Sequence, residues 1–225
     1  MNDLWTTLLP LIIGSALVPA QIIVTILLLR SRGGRIVAVA WIAGMTVVRL
    51  AQGVVFGLVL GVGSAGEASG GPGRILSGVL LVLAVVLYAT AAKELAGGTD
   101  EDAPPPKWMS MVEGVTPGRA FLLGGGLVLI GAKLWVFTLG AIGAIGDAGV
   151  GQPAATIAFV VYVALAQGIL IGVVGMAYLL PTRADAILDR VYELLERYNR
   201  AIMVAVGLVF GTWFLVMALE GLGVL

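Results

Sequence analysis

"LAQGVVFGLV" at 50–59 and "LAQGILIGVV" at 165–174 decide how this chain is organised. Both open on Leu-Ala-Gln-Gly, both carry another glycine four residues on, and both lie inside long apolar runs. Two further pairs agree in the same order. "LVPAQ" (17–21) and "LIGAK" (129–133) each read as two apolar residues, a helix-weakening Pro or Gly, Ala, then a long polar side chain. Arg74 and Glu94 bracket one apolar run as Arg200 and Glu220 bracket another. Ordered self-similarity of this kind marks an internal repeat.

The runs themselves are membrane spans. Of the 225 residues 60% are hydrophobic and 12% charged, and the mean hydropathy is +1.07. A soluble domain carries about twice that charge. Runs near the roughly 20 residues that a bilayer requires fall at about 4–29, 36–60, 75–92, 120–145, 156–180 and 201–219. Each repeat then holds three spans. An odd number reverses the direction of the second copy, so the expected fold is all-α and integral to the membrane: six transmembrane helices in a 3+3 inverted-topology repeat. Such repeats belong to transporters that alternate access around a midplane site. The expected units are a first triplet at 1–95, a linker at 96–119 and a second triplet at 120–225.

Loop charge orients the chain. The loops after spans 1, 3 and 5 hold ten cations (Arg30, Arg32, Arg35; Lys93, Lys107, Arg119; Arg183, Arg190, Arg197, Arg200), and the opposite side holds Arg74. The positive-inside rule puts the former in the cytoplasm and both termini outside it, in a multi-pass protein of the plasma membrane. "GGTDEDAPPPK" (97–107) reads as a flexible cytoplasmic linker. Ile187, Leu188, Val191, Leu194, Leu195 and Tyr198 recur at helical spacing among charges, so 183–200 reads as an amphipathic helix on the cytoplasmic interface. Gly53, Gly57 and Gly61, with Gly168 and Gly172, have the spacing of close helix packing, in the bundle or in a homodimer.

Polar residues inside the spans are the expected substrate site. Pro19 and Gly131 weaken spans 1 and 4 near mid-membrane, and broken spans at matched positions point to a binding site. Gln21 and Lys133 follow them by two residues, and Gln52 and Gln167 occupy matched depths in spans 2 and 5. Arg49 and Lys133 lie about 13 residues into their spans, roughly 20 Å deep. A charge at helix centre costs about 2.5–3.5 kcal/mol on insertion scales, which calls for a partner or a hydrated cavity. No Asp or Glu falls inside the spans except at their ends. The two cations are therefore expected to share a water-accessible cavity that receives an anion. The chain has no His and no Cys, which excludes thiol redox chemistry and leaves no expectation of a metal or other cofactor. Zero net charge gives no sign of nucleic acid. Asp185, Asp189, Glu193 and Glu196 lie on a solvated face, so no enzyme is expected.

With "VPAQ" in span 1 and "GAK" in span 4, the six-span arrangement resembles the LysE exporter superfamily. The basic first loop, the Pro-rich linker and "TPGRAFLLGGGLVLIGAKLWVF" (116–137) look most like its GAP/Sap branch. That resemblance implies an actinobacterial, chiefly mycobacterial, lipid-addressing protein that moves glycopeptidolipids or sulfolipids toward the cell surface. The leading expectation is an exporter or flippase for an anionic amphiphile, a cell-envelope glycolipid or lipid-linked intermediate. Lys133 and Arg49 would hold the anion, and Gln21, Gln52 and Gln167 the polar head group. The alternatives are a LysE-like exporter of a small polar metabolite or amino acid, and an accessory scaffold of a larger lipid-export machinery.

Overall fold

The computed structural model describes residues 2–31, 33–59, 72–97 and 114–224. Of the expected linker, residues 98–113 lie outside them, as do Arg32, Gly61, Lys107 and Leu225. Among the described residues there are nine helices and no strand: α1 (Asn2–Ala16), α2 (Pro19–Arg30), α3 (Gly34–Val59), α4 (Pro72–Ala96), α5 (Pro117–Ile130), α6 (Ala132–Asp147), α7 (Ala154–Ala166), α8 (Gly168–Leu179) and α9 (Pro181–Gly221).

Three pairs of these helices are bent spans. Between α1 and α2 the chain turns by 51°. Pro19 forbids the α conformation to the residue before it, and Val18 is accordingly extended at φ −96°, ψ 101°. Between α5 and α6 the bend is 70° at Gly131, whose backbone leaves the helix at φ −73°, ψ 92°. A Cβ there would sit 2.6 Å from the Leu127 carbonyl oxygen, so the break requires glycine. The Trp135 indole N–H reaches back across it to the Leu129 carbonyl at 2.9 Å, satisfying an acceptor that the break frees. The third bend, 55° at Gln167 between α7 and α8, has no Pro to announce it.

Helices Gly34–Leu58 and Ala186–Gly221 are each long and apolar enough to cross a membrane, and each bent pair qualifies as one further span. The protein is thus an all-helical membrane protein with two to five candidate spans among the described residues. The sixth expected span, 75–92, falls within α4.

The amphipathic stretch and the last span form one helix, not two. At 41 residues α9 is roughly 60 Å long, about twice the hydrocarbon thickness. Its first turns carry Ala184 and Leu188 into the core and pack Val191 and Leu195 against it, whereas Ile187, Leu194 and Tyr198 are exposed. Arg30 at the end of α2 pairs with Asp189 of α9. The glycines divide similarly. Gly53 is packed tightly, but Gly57, Gly168 and Gly172 face open space. The closest backbone approach is instead between α3 and α5. A Cβ on Gly44 would lie 2.0 Å from the Phe121 carbonyl oxygen, and one on Gly124 would lie 2.2 Å from that of Trp41.

Two apolar cores result. One gathers α1, α4, α6, α7 and the end of α9 around Leu8, Leu87, Phe137 and Phe214. The other gathers α2, the first half of α3, α5, α8 and the start of α9 around Ile26, Trp41, Met45 and Leu170. The polar side chains collect where the cores meet. Arg49 lies between Met45 of the second core and Leu50, packed on the first; Gln167 lies between Ala166 and Leu170.

Candidate functional site

Arg49 is the centre of this seam. It sits in the unbroken α3, on the helix face shared with Thr46 and Gln52 by i, i+3 spacing. Its exposure is 0%. The Nη1 group donates to Ser15 Oγ at 2.7 Å, in the last turn of α1 just before the first break. Nε and Nη2 find no acceptor among the described residues. Those two N–H groups lie on the same edge of the guanidinium, the parallel fork that grips two oxygens of a carboxylate, sulfate or phosphate. An unpaired donor at such depth is costly, about 1–3 kcal/mol for a neutral group and more for a charged one.

Tyr162 of α7 and Thr138 of α6 complete the surround, both wholly buried. The Tyr162 hydroxyl lies beside those of Ser15 and Thr138, with Arg49 in electrostatic range, yet none of them meets it with good hydrogen-bond geometry. Thr138 instead donates to the Leu134 carbonyl one turn back, at 3.0 Å. The result is a buried polar cluster of one cation and three hydroxyls, with hydrogen-bonding capacity to spare and, among the described residues, no carboxylate paired to Arg49.

The glutamines make no hydrogen bond to it. Gln167 Nε2 donates to Thr46 Oγ1 at 2.7 Å, and Thr46 in turn donates to the Ile42 carbonyl at 2.8 Å. This bond ties the α7–α8 break to the face of α3 that bears Arg49. The other Gln167 atom, Oε1, is unpaired. Gln52 is buried with both amide atoms unpaired, and Gln21 is buried with its Nε2 unpaired. Gln21 follows Pro19 by two residues, and its backbone carbonyl accepts from Thr25 Oγ1 at 2.7 Å.

Lys133 is the second residue of α6, immediately past Gly131. Its side chain lies outside the described residues. The water-accessible cavity expected around Arg49 is closed here, because the apolar packing of both cores leaves the guanidinium no exposed surface.

Ser15, Thr46, Thr138 and Tyr162 were not among the expected site residues. None of them has a polar counterpart at the offsets that relate the two copies. Counting 112 residues on from Ser15 gives Leu127, 112 back from Thr138 gives Ile26, and 115 back from Tyr162 gives Val47. A search for any hydroxyl within the apolar runs finds all four.

A family model described as "Sap, sulfolipid-1-addressing protein" matches residues 8–220. No curated protein and no solved structure matches the chain.

Proposed function

The chain belongs to the Sap, sulfolipid-1-addressing protein family, and from that premise we propose that it is an exporter or flippase for an anionic amphiphile of the cell envelope. The observation that carries this reading is the Arg49 fork: a wholly buried guanidinium whose Nε and Nη2 have no acceptor among the described residues. In a membrane interior such a pair is tolerable as the resting state of a site that binds an oxyanion in two-point fashion. A sulfate, phosphate or carboxylate head group has that geometry. Ser15, Tyr162 and Thr138 supply hydroxyls for its remaining oxygens, and Gln21, Gln52 and Gln167 supply amides along the route. Lys133, beside the Gly131 break, is the second cation of the site.

Alternating access follows from an inverted repeat, and several features favour that reading. Each triplet opens on a span bent at the expected residue, Pro19 or Gly131. The third members, α4 and α9, pack along each other more extensively than any other pair. The packing of α6 on α4 is answered by that of α2 on α9. Six spans with both termini outside the cytoplasm complete the proposal. The closed Arg49 is then an occluded state, and the three bends are the joints about which the halves rock. In this reading the lipid leaves chemically unchanged.

Reconstituted vesicles test this. The wild-type protein should move a fluorescent lipid with a sulfate or phosphate head group across the bilayer and leave a zwitterionic analogue behind. Arg49→Met should cut the rate at least tenfold while the protein stays folded, because a buried unpaired charge is removed. Arg49→Lys should keep a minor part, having the charge without the fork. Equal transport of both lipids, or full activity in Arg49→Met, would overturn the proposal. A protein that moves neither lipid is the accessory scaffold of the alternative reading.

A further inference from the structure

An apolar cavity of about 460 Å³ opens beside the Arg49 cluster, at the end of the bundle where α3 finishes and α7 begins. Its walls are α3 from Leu50 to Leu58, Ile142 and Ile145 of α6, and α7 from Ala155 to Val160. Leu50 to Leu58 rises roughly 12 Å along the helix, so the cavity is a shaft running about that far along α3 and open on its lipid side. The side chains at its mouth, Val54, Leu58 and Val160, are apolar and exposed. In a membrane they face lipid chains, not water. The polar pair present, Gln152 and Thr156, is spent internally: the Thr156 hydroxyl donates to Gln152 Oε1 at 2.6 Å.

At its deep end the shaft reaches Leu50, the residue next to Arg49, and Phe159. The Phe159 ring stacks on Tyr162, with centroids 5.9 Å apart and planes 29° apart. Tyr162 in turn lies within electrostatic range of Arg49. The ring also lies directly on Gly53, where a Cβ would come within 2.0 Å of it. Phe159 therefore joins the wall of the lipid-facing shaft to the Tyr162 side of the Arg49 cluster.

We propose that the shaft seats a hydrocarbon chain of the anionic lipid whose head group binds Arg49, and that Phe159 is the door between them. This rests on the reading of Arg49 as an anion site. A lipid entering sideways through the mouth passes its head group under Phe159 to the fork. Its chain stays in the shaft, held by van der Waals packing against the apolar walls. The size suits this occupant, since ligand cavities run from about 300 to 1,000 Å³. Gly57 lines the shaft and has nothing within 4 Å of its missing Cβ, so the space is open along the path of the chain.

The test is photo-crosslinking of the whole protein in vesicles doped with phosphatidic acid carrying a diazirine in its acyl chain, against the matching phosphatidylcholine probe. The phosphatidic acid probe should label peptides spanning 50–58 and 155–160 several-fold more than the choline probe. Gly57→Trp fills the shaft and should reduce that label at least tenfold. Leu58→Trp, at the exposed mouth, should reduce it severalfold and serves if Gly57→Trp fails to fold. Gly172→Trp, also at a position with open space but on α8, should leave it unchanged. Phe159→Ala should raise labelling by phosphatidic acid and not by phosphatidylcholine. Equal labelling by both probes, or a label indifferent to the shaft-filling variants, overturns the proposal. Selective labelling that persists in Arg49→Met overturns the link to Arg49. Absence of shaft label while Arg49→Met still abolishes transport removes the shaft and leaves the anion site standing.

Discussion

At 50–53 Leu-Ala-Gln-Gly runs through α3 without a break; at 165–168 the same four residues end α7 and begin α8 across a 55° bend. Intrinsic helix propensity is identical in the two copies, so the neighbours decide. Gly53 lies under the Phe159 ring with no room for a methyl group, and the contact holds the backbone in line. Gly168 has nothing within 4 Å. Gln52 has neither amide atom bonded, whereas Gln167 donates to Thr46 and so anchors the bend to α3. The same four residues thus form two different parts: a straight post that carries Arg49, and a jointed partner pinned to it.

The comparison breaks first at Gly53. Gly53→Leu should leave little monodisperse protein on size exclusion in detergent, because a branched side chain has to displace the ring, whereas Gly168→Leu should purify normally. Gly53→Ala should destabilise by about 1–3 kcal/mol, the usual range for overpacking. Most of that should vanish when Phe159→Ala is added, and a double-mutant cycle on thermal or denaturant unfolding measures the relief. An additive pair would mean that the ring is not what confines Gly53. Next in size, Gly168→Ala should stabilise by up to about 1 kcal/mol through helix propensity, raising the unfolding midpoint. A drop there would show that the joint needs glycine's freedom. The smallest effect concerns the glutamines. Gln167→Leu loses an interhelical bond, worth about 0.6 kcal/mol on average in membranes. Gln52→Leu removes two unpaired buried groups and should match or exceed wild type in the same unfolding measurement.

The sequence carried the class of fold and much of its layout. Apolar run lengths marked the helices, and Pro19 and Gly131 marked two of the three bends, since both residues act on the backbone locally. The bend at Gln167 was not legible, because it arises from what does not pack against Gly168. The fusion of 183–200 with the last span into α9 was hidden for a related reason: charge marks the membrane boundary, but nothing around Arg200 and Ala201 interrupts a helix. Arg49 was legible as a costly charge in an apolar run. Its partner Ser15 and its neighbours Thr138 and Tyr162 were not, because hydroxyls are common within spans and only the fold brings these three to one cation. Likewise the shaft depends on Gly57 and Phe159 lining one space from two helices distant in sequence.

The central claim is that the unpartnered edge of Arg49 holds an anionic head group. Native mass spectrometry of the protein released from mild detergent, after equilibration with equal amounts of phosphatidic acid and phosphatidylcholine, reads this directly. The wild-type protein should retain phosphatidic acid over phosphatidylcholine by at least tenfold, and Arg49→Met should lose that preference while keeping its folded charge-state distribution. Equal retention of the two lipids by the wild-type protein, or an undiminished preference in folded Arg49→Met, would contradict it.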